Sequence, residues 1–213
     1  MWTRGTALLL GCLLALGGLL GYALGQALPV VAPADGDSTP VAAQPSVPGD
    51  PAVVIEPDPD NPPLPTELKL GRARLGEGRY LTEFPVPQGW VRTSDIANEA
   101  KWKMPDYPSN TYVLRVEQVL GQHETVDHIL TSRISALEDT TWDFEIVEQT
   151  DNSLEFTYVS PTDRHFRHAF LVWLDVSDEG FAEMEIALTG REVDAPGMRA
   201  LLERVVAGTR IVG

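Results

Sequence analysis

The strongest structural signal in the chain comes from residues 165–176, which read His165-Phe166-Arg167-His168-Ala169-Phe170-Leu171-Val172-Trp173-Leu174-Asp175-Val176. The middle of this stretch is apolar at every position, so a β-strand formed here has both faces covered. Such a strand lies at the centre of a sheet that is sandwiched between other layers. We therefore expect the folded part of the chain to be built around it.

The segments on either side of this strand predict the other layers. Short alternating runs joined by turn residues predict antiparallel strands. An apolar stripe over residues 124–139 predicts a helix with Thr125 as its N-cap, and Asp194 is predicted to cap a closing helix. The predicted fold class is α+β, an α/β/α sandwich with a mainly antiparallel central sheet of about six strands and two main helices.

Two further strands are predicted toward the two ends of the domain. Residues 79–84 alternate and predict a strand that is ended by prolines. Residues 181–189 predict the last long strand, with Glu183 and Glu185 on its outward, solvated face. Because carboxylates are abundant in this chain, such a pair is expected by chance.

The amino-terminal residues 1–28 predict a membrane segment that precedes the domain. Residues 7–28 form an apolar run of about 22 residues, roughly 33 Å long as a helix, which is enough to cross a bilayer. Arg4 places positive charge on the short side, so that side is predicted to be cytoplasmic and the rest extracellular. The length favours an uncleaved anchor. A cleaved signal peptide and a lipoprotein modified at Cys12 are the alternatives.

Residues 29–66 predict a disordered linker between this segment and a domain at residues 67–213. The linker is rich in proline, and its six acidic residues have no basic counterpart. Such a composition buries too little apolar surface to offset its ordering entropy, and it keeps the chain extended. We expect it to act as a stalk.

Charge and cysteine content exclude several classes of function. The net charge of −15 repels nucleic-acid phosphates, so nucleic acid is not an expected partner. The single cysteine allows neither an intramolecular disulfide framework nor a thiolate metal site. The chain also lacks the common nucleophile, nucleotide-binding, zinc and calcium motifs. We therefore expect a non-enzymatic protein without a cofactor or a metal.

Two groups of residues are candidate sites. Arg164, His165, Arg167 and His168 concentrate basic groups in an acidic chain, and they could receive an anionic group of a ligand or partner. The alternative is that they pair with nearby acids. His165 and His168 are three positions apart, so on a strand they point to opposite faces and cannot share a metal.

The second candidate site lies in the predicted membrane helix. Gly17, Gly21 and Gly25 repeat every four residues, a pattern that lets two membrane helices approach closely. The alternative is that glycine is simply common in such segments.

Residues 79–90 read Arg-Tyr-Leu-Thr-Glu-Phe-Pro-Val-Pro-Gln-Gly-Trp, and strands, a helix, a strand meander and a closing helix come after them. This order resembles the PsbP-like fold over roughly residues 72–212. That fold is shared by the photosystem II extrinsic P protein, a nuclear Ran-binding factor and LpqN-type actinobacterial lipoproteins. The resemblance implies a non-enzymatic domain that binds or assists proteins or envelope components. It carries over only Gly89 and Trp90, in a structural role.

Together these features predict a membrane-tethered extracytoplasmic binding or accessory module of a bacterial, actinobacterial-type envelope. Its expected partners are the lipid bilayer, through residues 7–28, and an envelope protein or a small anionic ligand. The alternatives are an envelope hydrolase whose site is not recognisable in the sequence, and a structural anchor that self-associates through its membrane helix. If the amino-terminal segment is cleaved, the protein is secreted instead.

Overall fold

The computed structural model describes residues 53–94, 96–107, 111–119, 121 and 123–213. Across these ranges no helix is both long enough and apolar enough to cross a membrane.

Several predictions concern residues outside this part of the chain. The membrane segment at residues 7–28, with Gly17, Gly21 and Gly25, lies outside the described residues. So does the first part of the linker, up to residue 52.

The described residues form ten strands and two α-helices. In chain order these are β1 (Leu70–Leu75), β2 (Thr82–Pro87), β3 (Val91–Arg92), β4 (Glu99–Lys103), β5 (Tyr112–Gln118), α1 (Val126–Thr140), β6 (Trp142–Gln149), β7 (Ser153–Val159), β8 (Phe166–Leu174), β9 (Met184–Gly190), α2 (Ala195–Gly208) and β10 (Arg210–Ile211).

The ten strands of the described chain form two sheets. The main sheet has the order β3-β4-β5-β9-β8-β7-β6, and the small sheet has the order β1-β2-β10. Every strand pair is antiparallel. The predicted α+β class with antiparallel sheets and two helices is therefore confirmed for this part of the chain. As predicted, β8 is an inner strand, and all but its two end residues are buried.

The two helices pack against opposite faces of the main sheet. On one face α2 and the small sheet enclose a cluster whose fully buried members include Phe84, Ile186 and Met198. On the other face Ile129 and Leu130 of α1 pack with Leu171 and other side chains of β7, β8 and β9. The alternate residues of β8 divide between the two clusters, which explains why the strand is apolar at every central position.

Two strand predictions need correction. The strand expected at residues 79–84 begins only at Thr82, after a 3-10 turn at Gly78–Tyr80, and it belongs to the small sheet. Its partner β1 was not predicted. The sheet that contains β8 has seven strands in the described residues, one more than expected, because the two-residue β3 pairs with β4 at its edge.

The turn at Gly89 and Trp90 places an aromatic side chain in the core. Gly89 has a φ of +85°, a left-handed conformation that glycine adopts without strain. The turn directs Trp90 into the core, where its ring stacks on Tyr112 with the centroids 5.3 Å apart. An aromatic pair at this distance stabilises the packing between the turn and β5.

The end of the predicted linker is not a free stalk. Residues 56–64, which we call the strap, lie along the domain. At one end the Glu56 N–H donates to the Arg164 carbonyl at 2.9 Å. At the other end Leu64 is buried in the core with 4% of its surface exposed. The predicted domain boundary at residue 67 is therefore too late in the chain.

Arg191 and Asp194 hold the strap from beneath. The Arg191 guanidinium donates to the carbonyl groups of Pro59 and Asn61, each at 2.9 Å, and of Pro62 at 3.1 Å. These carbonyls are available because an extended, proline-rich backbone forms few internal hydrogen bonds.

Asp194 completes this attachment. Its Oδ1 accepts from the Leu64 N–H at 2.9 Å, and its Oδ2 accepts from Arg191 Nε at 2.8 Å. Asp194 does occupy the N-cap position of α2, but its side chain makes no capping hydrogen bond to the helix. The expected capping role is therefore wrong, because strap attachment uses this carboxylate.

Candidate functional site

An open cavity of about 560 Å³ lies on the α1 face of the main sheet, and α1 itself contributes Arg133 to its lining. We call it the basin. Its lining comes from β4, β5, β7, β8, β9, α1 and the loops beside them: Thr93, Glu99, Lys101, Lys103, Val113, Arg115, Arg133, Tyr158, Ser160, Asp163, Arg167, Ala187 and Thr189. This volume is typical of small-molecule sites.

The lining is rich in cations although the protein is strongly acidic. The five basic side chains stand against two acidic ones, Glu99 and Asp163. The period of two along β4 directs Glu99, Lys101 and Lys103 to this face, while Ala100 and Trp102 enter the opposite core. Strand alternation therefore concentrates charge on one surface.

A buried carboxylate, Glu185, holds two of the guanidinium groups from behind. Its side chain is fully buried. It accepts hydrogen bonds from Arg115, from Arg133 Nη2 at 2.6 Å and from Trp173 Nε1 at 2.9 Å. Charge-assisted bonds of this kind fix the direction of an arginine side chain.

The prediction that Glu183 and Glu185 form an outward, solvated pair is wrong. The side chain of Glu185 lies on the face of the sheet that α1 covers, where it is buried between the sheet and the helix. Glu183 is also buried, and its carboxylate accepts hydrogen bonds from the N–H groups of Val176 and Ser177 at 2.8 and 2.7 Å. Both carboxylates are buried because each has several donors directed at it.

Arg115 links this group to the strands at the sheet edge. It pairs with Glu117 and with Glu185, and its Nη1 lies 3.6 Å from Oε2 of Glu99. Glu99 also lies 3.1 Å from Lys101 Nζ. Burial opposes ionisation of Glu99, but its bond to Lys101 and the two nearby cations outweigh burial and lower its pKa.

Arg167 forms the opposite wall of the basin, and only 3% of its side chain is exposed. Its Nη1 lies 3.3 Å from Oδ1 of Asp58 in the strap, and its Nη2 lies 3.2 Å from Oδ2 of Asp163. Burial opposes ionisation of Asp163. Hydrogen bonds from Ser160, His165 and Arg167 outweigh it and lower the pKa of Asp163 to about 2.

The four residues predicted as an anion-receptive surface do not lie together. Arg164 is exposed in a turn. His165 Nδ1 contacts the Glu56 carbonyl oxygen at 3.1 Å. His165 Nδ1 also lies 3.6 Å from Oδ1 of Asp58. Arg167 is the only one of the four that lines the basin.

His168 lies on the other face of the sheet from Arg167. Its Nε2 is 2.7 Å from Oε1 of Glu155, which also accepts from Arg199 at 2.5 Å. The separation of Arg167 and His168 follows from the period of two along β8. Acids therefore lie beside three of the four residues, which is the alternative that the sequence left open.

Four cations of the basin were not predicted as site residues: Lys101, Lys103, Arg115 and Arg133. The alternation in β4 and β5 predicted their polar faces. It did not reveal that the polar faces of β4 and β5 lie side by side in one cavity, because the order of strands in a sheet is set by pairing between residues far apart in the chain. In the part of the chain that the structure describes, no three His, Cys, Asp or Glu residues lie close enough to hold a metal ion.

No family model matches this chain, and neither the curated proteins nor the solved structures contain a match. The PsbP-like resemblance therefore stays a prediction from the sequence.

Proposed function

We propose that this protein is a non-enzymatic binding module of a bacterial, actinobacterial-type envelope, held outside the cell membrane by its amino-terminal segment. The observation that carries the proposal is the open basin, whose volume and charged lining suit a small ligand. The tether is inferred from the apolar run at residues 7–28 and from the acidic, proline-rich chain after it. A stalk of this kind raises the local concentration of the domain near envelope partners.

The ionisation of the lining supports binding rather than proton transfer. A general acid or base works best when its pKa lies near the working pH. In the basin burial opposes ionisation of Glu99 and Asp163, but hydrogen bonds and nearby cations outweigh it and lower the pKa of both groups. Burial raises the pKa of Tyr158, and the charge of Asp163 adds to this effect. The pKa values of all three groups are shifted away from neutral pH. At that pH Glu99 and Asp163 therefore carry fixed charges, and Tyr158 provides a neutral hydroxyl group.

A filled-basin variant tests the proposal. Val113→Trp puts an indole into the basin from a partly exposed strand position that accepts aromatic residues. Thr150→Trp is the matched control, since Thr150 is exposed and lines a separate, smaller cavity. The full chain in nonionic detergent is heated with panels of anionic, neutral and cationic small molecules. A ligand that binds the folded state raises the unfolding temperature.

We expect at least one panel to stabilise the native protein and the Thr150→Trp variant but not the Val113→Trp variant. The bound compound should be recovered chemically unchanged. Stabilisation by no panel, or equal stabilisation of both variants, contradicts a binding role for the basin. Conversion of the compound supports the hydrolase alternative instead.

The tether has a separate test. The full chain, produced in a bacterial host, should fractionate with membranes and resist alkaline extraction. Protease added to intact protoplasts should remove its carboxy-terminal domain. A domain that stays protected inside the cell contradicts the proposed topology.

A further inference from the structure

We infer that the basin binds a small, multivalent oxyanion, a molecule with two or more carboxylate or phosphate groups. This inference rests on the proposed function and specifies the ligand of the same site. It follows from the exposure and the ion pairing of the charged side chains around the cavity.

On the side of the basin formed by β4 and α1, the carboxylates are less exposed than the cations. The side chains of Glu185 and Glu99 are 0% and 12% exposed, whereas those of Arg133 and Lys101 are 34% and 42% exposed. The acids hold the guanidinium groups from behind, and the cationic groups reach further toward solvent. A molecule that enters the basin on this side therefore meets hydrogen-bond donors first. On the opposite wall the order is reversed, since the side chain of Asp163 is 26% exposed and that of Arg167 is 3% exposed.

Lys103 offers a charge that the basin does not neutralise. Within the described ranges it forms no ion pair, although it lines the same cavity as Lys101 and Arg133. An ammonium group has three donors and no acceptor, so an oxyanion is the complementary partner. Arg133 adds donors, because within the described part of the chain Nη2 is its one engaged nitrogen, bonded to Glu185.

A cationic ligand is disfavoured for the same reason. Both carboxylates in the lining already hold cations: Glu99 pairs with Lys101 and Arg115, and Asp163 pairs with Arg167. A cation would have to displace one of these groups, and the freed side chain would add repulsion. An anion can use the exposed donors while the inner pairs stay intact.

The size of the basin favours more than one anionic group. A single small oxyanion fills only a fraction of a cavity of about 560 Å³. The cations come from both sides of β9: Lys101, Lys103 and Arg115 lie on β4 and β5, and Arg167 lies on β8. A ligand with two separated anionic groups can reach cations on two sides at once.

The test is a calorimetric titration of the full chain in nonionic detergent at constant ionic strength. Citrate is the carboxylate probe and pyrophosphate the phosphate probe, with maltose and spermidine as neutral and cationic probes. The variants are Lys101→Gln and Lys103→Gln. Arg210→Gln removes the same charge from the small sheet, which packs on the opposite face of the main sheet from the basin, and is the matched control.

We expect citrate, pyrophosphate or both to bind, and each lysine variant to weaken that binding about tenfold, the usual effect of losing a charge-assisted hydrogen bond. The control should change it less than about twofold, since distant charges are screened. Binding of one anion alone identifies its chemistry as carboxylate or phosphate. Val113→Trp should abolish binding of either anion.

Three outcomes overturn the inference. If maltose or spermidine binds in the basin and neither anion does, the proposed function stands but the ligand class is wrong. If Arg210→Gln weakens anion binding as much as Lys103→Gln, the binding is nonspecific. If no probe class binds in any form, both the inference and the proposed function fail.

Discussion

At the scale of single residues, Asp163 shows how one carboxylate joins two parts of the molecule. It lies after β7 in the turn before β8, and it accepts a hydrogen bond from the His165 N–H at 3.3 Å. It also pairs with Arg167, which in turn contacts Asp58 of the strap. The wall of the basin therefore depends on the ionisation of this residue.

The lowered pKa of Asp163 predicts a specific pH dependence. An unfolded aspartate has a pKa near 4, whereas folded Asp163 titrates at about 2. Between these values the unfolded chain binds more protons, so the free energy of unfolding rises with pH in this window. The contribution of Asp163 is about 2 kcal/mol at pH 6, and it is lost as the pH falls through 2.

Urea unfolding of the native protein and of Asp163→Asn should measure this contribution. We expect the variant to be less stable by about 2 kcal/mol at pH 6, with a difference that shrinks below pH 4. Asp178→Asn, in an exposed turn, is the control and should show no such trend. A difference between Asp163→Asn and the native protein that is equal at pH 6 and pH 3 would contradict the role of ionisation.

The sequence predicted residue faces better than it predicted residue partners. A period of two correctly separated Glu183 and Glu185 from Met184. It could not show that α1 covers the carboxylate face of β9, because this packing depends on residues far apart in the chain. Glu185 was therefore expected in water, although it is the carboxylate that holds Arg115 and Arg133.

At the scale of elements, the first turn of α2 is shaped to receive the strap. Gly197 lies in this turn, and a methyl group added to it would overlap the carbonyl group of Leu64. Glycine in a helix costs about 1 kcal/mol relative to alanine. Glycine at this position allows the strap backbone to lie directly against the helix.

This arrangement predicts that the effect of Gly197→Ala on the free energy of unfolding has one sign when the strap is present and the opposite sign when it is absent. In residues 50–213 the added methyl group should destabilise the fold by about 1–2 kcal/mol, as overpacking does. In residues 67–213, which lack Leu64, the same substitution should stabilise by up to about 1 kcal/mol through helix propensity. Urea unfolding of the four proteins measures both effects.

A substitution on the other helix controls for the general effect of helix propensity. Ser135→Ala, at an exposed position of α1, should stabilise both fragments by the same few tenths of a kcal/mol. If Gly197→Ala has the same sign with and without the strap, then contact with Leu64 is not what requires glycine.

Elements with strong local signals were predictable, and elements held by distant contacts were not. The helix expected at residues 124–139 is Val126–Thr140, with Thr125 as its N-cap accepting from the His128 N–H at 3.4 Å. The strap has the composition of a disordered segment. Its order comes from Leu64 in the core and from Arg191, which is more than a hundred positions away.

At the scale of the whole molecule, the strap belongs to the folding unit. Val54 and Ile55 just before it are largely exposed, whereas Leu64 is buried with the α2 cluster. Arg191 and Asp194 are 3% and 0% exposed, and they share their hydrogen bonds with the strap. Removal of the strap would open the core and take away the carbonyl partners of Arg191 and the Leu64 N–H that donates to Asp194, although the pair between Arg191 and Asp194 would remain.

We therefore predict that residues 67–213 are less stable than residues 50–213 by about 3–5 kcal/mol, the combined effect of a lost core leucine and of the lost hydrogen bonds between the strap and the Arg191–Asp194 pair. Residues 56–213, which keep the strap, should lie within about 1 kcal/mol of the longer fragment, since they lose only exposed side chains. Urea unfolding compares the three. Equal stability of all three would show that the strap is only a surface contact.

The order of the strap's attachments along the chain has a mechanical consequence. Glu56, Asp58, the three carbonyls held by Arg191, and Leu64 are attached in succession from the amino-terminal end. Tension applied at that end loads these contacts one after another, in a peeling direction, rather than all together in shear. A force–extension trace between residues 53 and 213 should show an early extension of about 30 Å before the sheets unfold. A domain attached in this way can yield to a pull before its sheets unfold.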